Sequence, residues 1–124
     1  MAVAARETIA FSKPGGERCV PSKGRPVDLV HLTRQTLGDR AVEQEVLGMF
    51  MHQLVTIREG LGRKDADERR ALAHTLKGAA SGVGAFAIAD CAENIEQSPS
   101  DDRLVAQLSE LIDQAQDFIA AINR

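Results

Sequence analysis

From position 26 onward the apolar residues recur every three or four positions, and no segment alternates with period two. Leu29, Leu32 and Leu37 mark a short helix with these residues inward, which Asp28 can cap and Gly38 can end. Asp39 opens a long helix on Val42, Val46, Phe50, Leu54, Ile57 and Leu61, closed by Gly60 and Gly62. Asp65 with Glu68 has capping-box spacing and starts a third helix, whose core stripe is Leu72, Leu76, Ala79 and Val83. Gly82 and Gly84 turn the chain into a fourth, Ala85 to Gln97, with Ile88, Cys91, Ala92 and Ile95 inward. Ser98-Pro99-Ser100 reads as a turn plus cap before a last helix on Leu104, Leu108, Leu111, Ala115, Phe118 and Ile122. The pattern predicts an all-α fold, an antiparallel four-helix bundle with a short extra N-terminal helix laid across it.

Length changes little: 124 residues make one domain, and 44% hydrophobic residues suffice for a modest core. With no Trp or Tyr and four Phe, that core is aliphatic. Residues 1–25 have no sustained periodicity, contain Pro14-Gly15-Gly16, Pro21 and Gly24, and read as a flexible basic leader ahead of a bundle at 26–124. A docking arm for an acidic surface is the minor reading of that leader.

The net charge of −3 gives no reason to expect nucleic acid as a partner. The N-terminal residues have no long apolar run, so neither a secretory signal nor a membrane span is expected. Cys19 and Cys91 match no metal or redox spacing, and Cys91, on an apolar face, reads as a buried free thiol of a reducing cytosol. A cytoplasmic protein follows. Nothing beyond the bundle demands a partner for stability, so a monomer is expected.

The chemistry concentrates in Ala73-His74-Thr75-Leu76-Lys77-Gly78-Ala79-Ala80-Ser81-Gly82-Val83-Gly84. At about 100° per residue, Arg70, Gly78 and Ser81 fall within about 40° of His74 and Lys77 about 60° away, opposite the core stripe. An ordinary exposed histidine is the bland reading. Gly78 argues against it, because a glycine inside an exposed helical face costs about 1 kcal/mol relative to Ala and does nothing for the fold. Close approach of a partner to the imidazole would explain it. The small residues Ala79 to Gly82 serve either that clearance or tight helix packing. Lys77 is either a solvated charge or a flexible ammonium able to reach anionic oxygens on the ring.

Counting ten residues either side of Gly84 sets His74 level with Asn94. Glu96, then Glu93, are the carboxylates able to accept from one ring N–H, fixing the tautomer and leaving the other nitrogen as nucleophile. A carboxylate there favours imidazolium while Lys77 opposes it, and the sequence leaves that contest open.

These residues resemble the histidine-containing phosphotransfer (HPt) domain family. His74-Thr75-Leu76-Lys77-Gly78 followed by Gly84 is similar to its phosphoacceptor motif, and the resemblance extends from Val27 to Arg124. It implies a phosphorelay intermediate of two-component signal transduction, a carrier rather than an enzyme, without its own ATP or metal site. His74 would take a phosphoryl group from a receiver-domain aspartyl phosphate and pass it to another response-regulator receiver. By the same resemblance Lys77 stabilises the phosphate, Glu96 orients the imidazole, Gly78 lets the receiver approach and Gly84 makes the turn. Arg70, Ala71 and Ser81 would join Gly78 in docking, with Met51 and Val55 as flanking apolar residues. No cofactor is expected beyond a magnesium ion on the partner receiver, and a hybrid histidine kinase is a further candidate partner. Gly82 is a departure that leaves the end of the third helix open.

Three other readings stand beside it. A helical adaptor could bind a kinase or receiver without being phosphorylated, in which case His74 is dispensable. The acceptor domain of a chemotaxis-type kinase shares the motif, but no ATP-binding part follows the fifth helix. A di-iron bundle would need inward Glu-x-x-His pairs, and no Glu here has His three positions later. His31 and His52 read as surface or edge residues.

Overall fold

A computed structural model describes residues 25–122; the basic leader, apart from Arg25, and the last two residues lie outside the described residues, as does Cys19. Five helices follow one another, α1 (Leu29–Gln35), α2 (Arg40–Leu61), α3 (Ala66–Val83), α4 (Phe86–Gln97) and α5 (Asp102–Ile122), with no strand among the described residues. Three begin at an aspartate whose carboxylate takes up free N–H groups of the first turn. Asp28 accepts from Val30 and His31 at 3.0 and 3.1 Å, Asp39 from Val42 at 3.1 Å, and Asp65 from Glu68 at 3.0 Å. The first turn of α5 is capped by Asp101, which accepts from Arg103 N–H at 2.9 Å and lies one residue beyond the Ser98-Pro99-Ser100 segment read as turn plus cap.

Helix ends explain two further differences. α1 stops at Gln35, before Gly38, and Leu37 takes a positive φ of 55° with its side chain 93% exposed. The bonds Leu37 N–H to Arg34 O and Gly38 N–H to Thr33 O close the helix end, and they place Leu37 outside the core that its spacing predicts. α3 runs through Gly82 to Val83, and Gly84, at φ 89°, ends it with Ala85 N–H donating to Ala80 O at 2.8 Å. The second glycine is therefore helical and the first true break is Gly84.

α2, α3, α4 and α5 close into a ring in which each packs on its neighbours, and α1 lies on α3. Among the described residues the core is aliphatic around a single buried aromatic, Phe50. The α3–α4 contact is the most extensive. Small residues are buried on both helices, Ala73 and Ala80 on α3 and Ala89 and Ala92 on α4. Leu72 and Ala79, read as core from their spacing, are only partly buried, and Val42 at the start of α2 is exposed. The buried face of α3, Arg69, Ala73, Leu76, Ala80 and Val83, is thus rotated from the predicted stripe toward small residues, which allow helices to pack closely. On α5, Leu108, Ile112, Ala115 and Ile119 are the fully buried set, while Leu104, Leu111, Phe118 and Ile122 flank it.

Two features fix the ends of the bundle. At one end the Asp28 N–H donates to Gly84 O at 2.9 Å, and the His31 ring, edge-on to Phe86, lies with Nε2 3.2 Å from Gly82 O, so the Nε2–H tautomer donates there. At the other, buried Arg69 donates to Leu61 O at 2.8 Å and Pro99 O at 2.9 Å, joining the α2–α3 and α4–α5 connections. Asp102 lies 3.1 Å from the same guanidinium.

Candidate functional site

His74 projects from the middle of α3 with 70% of its side chain exposed. The buried residues of that helix, Arg69, Ala73, Leu76, Ala80 and Val83, occupy the opposite side. Its Nδ1 lies 2.8 Å from Glu96 Oε2 on α4. A carboxylate can only accept, so the proton of that bond sits on Nδ1, and the lone pair of the neutral ring is on Nε2. Glu93 makes no such contact, and the question the sequence left between the two carboxylates goes to Glu96.

The second oxygen of Glu96 faces Lys77, whose Nζ lies 3.0 Å from Oε1. Oε1 is buried, and the contact is a salt bridge. One carboxylate thus touches a lysine through one oxygen and an imidazole through the other. Lys77 first, and His74 after it, hold the Glu96 carboxyl below the usual carboxylate range, against the opposing effect of desolvation. Glu96 is therefore ionised at neutral pH.

Around this triad the other predicted residues fall as follows. Gly78 is exposed, and a Cβ built on it would meet nothing within 4 Å, so the surface beside His74 is open. Ala71 and Ser81 are exposed as well. Arg70 is exposed and held by Asp67 at 3.2 Å, one turn back on the same helix. Gly84 is buried and shapes the turn behind the site.

Met51 and Val55 do not belong with them. On the α2 wheel Met51 lies within about 20° and Val55 within about 60° of Arg58, whose guanidinium bonds Asp113 and Ser109 O on α5. They flank the far side of α2. Exposed apolar residues on the side of α2 that meets α3 are Val42 and, nearer the middle of the helix, Met49, 68% exposed and within about 20° of Gly60, where an added Cβ would run into Leu72. Sequence spacing gave no sign of this, because which side of α2 meets α3 is set by packing. His31 was missed for a like reason: its partners, Gly82 and Phe86, lie more than fifty residues away.

The site thus combines an exposed histidine, a carboxylate bound to its Nδ1, a lysine on the same carboxylate and an open glycine one turn on. Residues 44–118, more than half of the chain, match the Hpt domain. The chain belongs to the Hpt domain family. The match spans α2 to the end region of α5 and includes His74, Lys77, Gly78, Gly84 and Glu96, while α1 lies outside it. Comparisons with curated proteins and with solved structures gave no match. As an Hpt domain the protein has a histidine-containing phosphotransfer role in two-component signalling, working with kinase or receiver domains as a phosphotransfer carrier. No helix among the described residues is long and apolar enough to cross a membrane.

Proposed function

We propose that His74 accepts a phosphoryl group on Nε2 from a receiver-domain aspartyl phosphate and passes it to a second response-regulator receiver. The observation that carries this reading is the bond from Nδ1–H to Glu96, which leaves Nε2 as the nucleophile of a ring 70% exposed. Lys77 then supplies a cation to the phosphoryl oxygens. Gly78, with Ala71 and Ser81, gives the receiver room to bring its aspartate in line with Nε2. The magnesium ion and the remaining charge stabilisation come with the receiver, so the domain needs no cofactor of its own. In this reading the protein works as a cytoplasmic monomer, and a hybrid histidine kinase can be the source of the incoming receiver.

Incubation with phosphorylated receivers tests it. Wild type should acquire an acid-labile, base-stable label, and His74→Gln should acquire none. A label kept by His74→Gln refutes the assignment, and an unlabelled wild type that still binds receivers makes the protein an adaptor.

A further inference from the structure

The arrangement of Glu96 bears on how the ring can be a good nucleophile before transfer and a good leaving group after it. A carboxylate beside an imidazole favours the protonated ring, which cannot attack. Here the single negative charge is divided: Oε2 takes the His74 Nδ1–H at 2.8 Å, and Oε1 faces the Lys77 ammonium at 3.0 Å. The ammonium mutes the carboxylate toward the ring.

That ion pair is also easy to exchange. Lys77, 35% exposed, meets Oε1 at 3.0 Å from the end of a flexible four-carbon stem and keeps further N–H donors for a second anion. A phosphoryl group on Nε2 brings close to two negative charges to the neighbourhood and is the stronger attractor.

We propose that Glu96 is a counter-ion shared between Lys77 and His74, and that an arriving phosphoryl group draws Lys77 away, so that the full carboxylate charge falls on the phosphorylated ring. This rests on the relay reading above and deepens it. In the forward step the Nε2 lone pair forms the N–P bond, and the donor's bond to phosphorus breaks with its electron pair leaving on the donor. Nδ1 keeps its proton, so the ring becomes a phosphoimidazolium whose positive charge faces Glu96. In the onward step the N–P electrons return to Nε2, the ring is neutral again, and Lys77 returns to Oε1. The carrier takes up and gives off no proton in either direction. Glu96 acts here as a positioning residue, since it touches the ring and not the phosphoryl group.

The charged groups around the ring are Lys77 and Arg70 with Asp67 on α3, and Glu96, Glu93 and Asp90 on α4. On the outer face of α2 stand Glu45 and His52, and on α1 His31 and Arg34. Only Glu96 is bonded to the ring.

The test uses the full chain and phosphoramidate, a P–N donor that needs no receiver and releases ammonia, on wild type, Lys77→Met, Glu96→Gln and the double variant. Circular dichroism checks that each folds. For Lys77→Met the midpoint of labelling rate against pH should move up by about one unit, because the undivided carboxylate charge holds the ring protonated. Adding Glu96→Gln should bring the midpoint back. In the phosphorylated protein, the Nδ1–H signal in nitrogen-15 NMR should persist above neutral pH in wild type and vanish in Glu96→Gln, whose phosphoryl group should last several-fold longer. A Lys77→Met profile that superimposes on wild type overturns the proposal, and so does an Nδ1–H signal equally persistent in Glu96→Gln. Both of those outcomes leave His74 labelled and the relay reading intact. Wild type that takes no label on His74, from phosphoramidate or from receivers, removes both.

Discussion

A Cβ placed on Gly84 would sit 2.9 Å from the carbonyl oxygen of Asp28, whose own N–H donates to Gly84 O at 2.9 Å. The glycine therefore serves two ends at once: at φ 89° it terminates α3 in the left-handed region, and it lets the start of α1 lie against the turn. Gly84→Ala should lose about 2 kcal/mol, from backbone strain plus the displaced Asp28 segment. For a domain of this size that is roughly 10 °C in thermal midpoint. A midpoint within about 2 °C of wild type would contradict the contact.

Arg69 and Arg70 are neighbours in sequence with opposite fates. Arg69 is 3% exposed and joins two connections through the carbonyls of Leu61 and Pro99, whereas Arg70 has only exposed Asp67. Arg69→Met should cost about 3 kcal/mol, because two buried carbonyls lose their donor. Arg70→Ala should change stability by less than about 0.5 kcal/mol, as exposed ion pairs do. Urea denaturation of the two variants measures the contrast, and equal losses would refute it.

That pair also marks the boundary of what the sequence could reveal. The order of helices, the caps at Asp28, Asp39 and Asp65, and the turn at Gly84 are local matters, decided within a few residues, and they are legible as spacing. His74 and Glu96 could be brought together from sequence because a tight turn makes two helices level with each other by counting. Arg69 could not be placed, since a charged residue faces the core only when carbonyls from two distant connections meet it. Met49, and not Met51, lies on the α3 side of α2 for the same reason, and Ala73 and Ala80 are buried on α3 where Leu72 and Ala79 are only partly so. Sidedness on a helix depends on where the neighbours sit, which periodicity alone leaves free by about one residue.

Gly78 separates stability from docking. Nothing lies within 4 Å of a Cβ built there, so Gly78→Ala should stabilise the helix by about 1 kcal/mol. Gly78→Arg should keep the fold, yet block transfer from a receiver while leaving labelling by a small phosphodonor nearly intact. Thermal denaturation and the two labelling assays read the three effects. Receiver transfer at the wild-type rate in Gly78→Arg would show that clearance is not needed beside His74.

Acid should dissolve the triad in a predictable window. The folded Glu96 carboxyl is held below the ordinary carboxylate range, by Lys77 first and His74 second. A carboxylate depressed in the folded state adds stability above its unfolded value, about 4.3 for a glutamate, and loses it as pH falls through the lower folded value. The difference in stability between wild type and Glu96→Gln should therefore shrink toward zero as the pH falls below about 5. Partial exposure makes it small and sensitive to salt, so the comparison belongs at low ionic strength. A difference that grew below about pH 5 would mean that the carboxyl is stabilised in its protonated form, and that Lys77 and His74 are not its partners in solution.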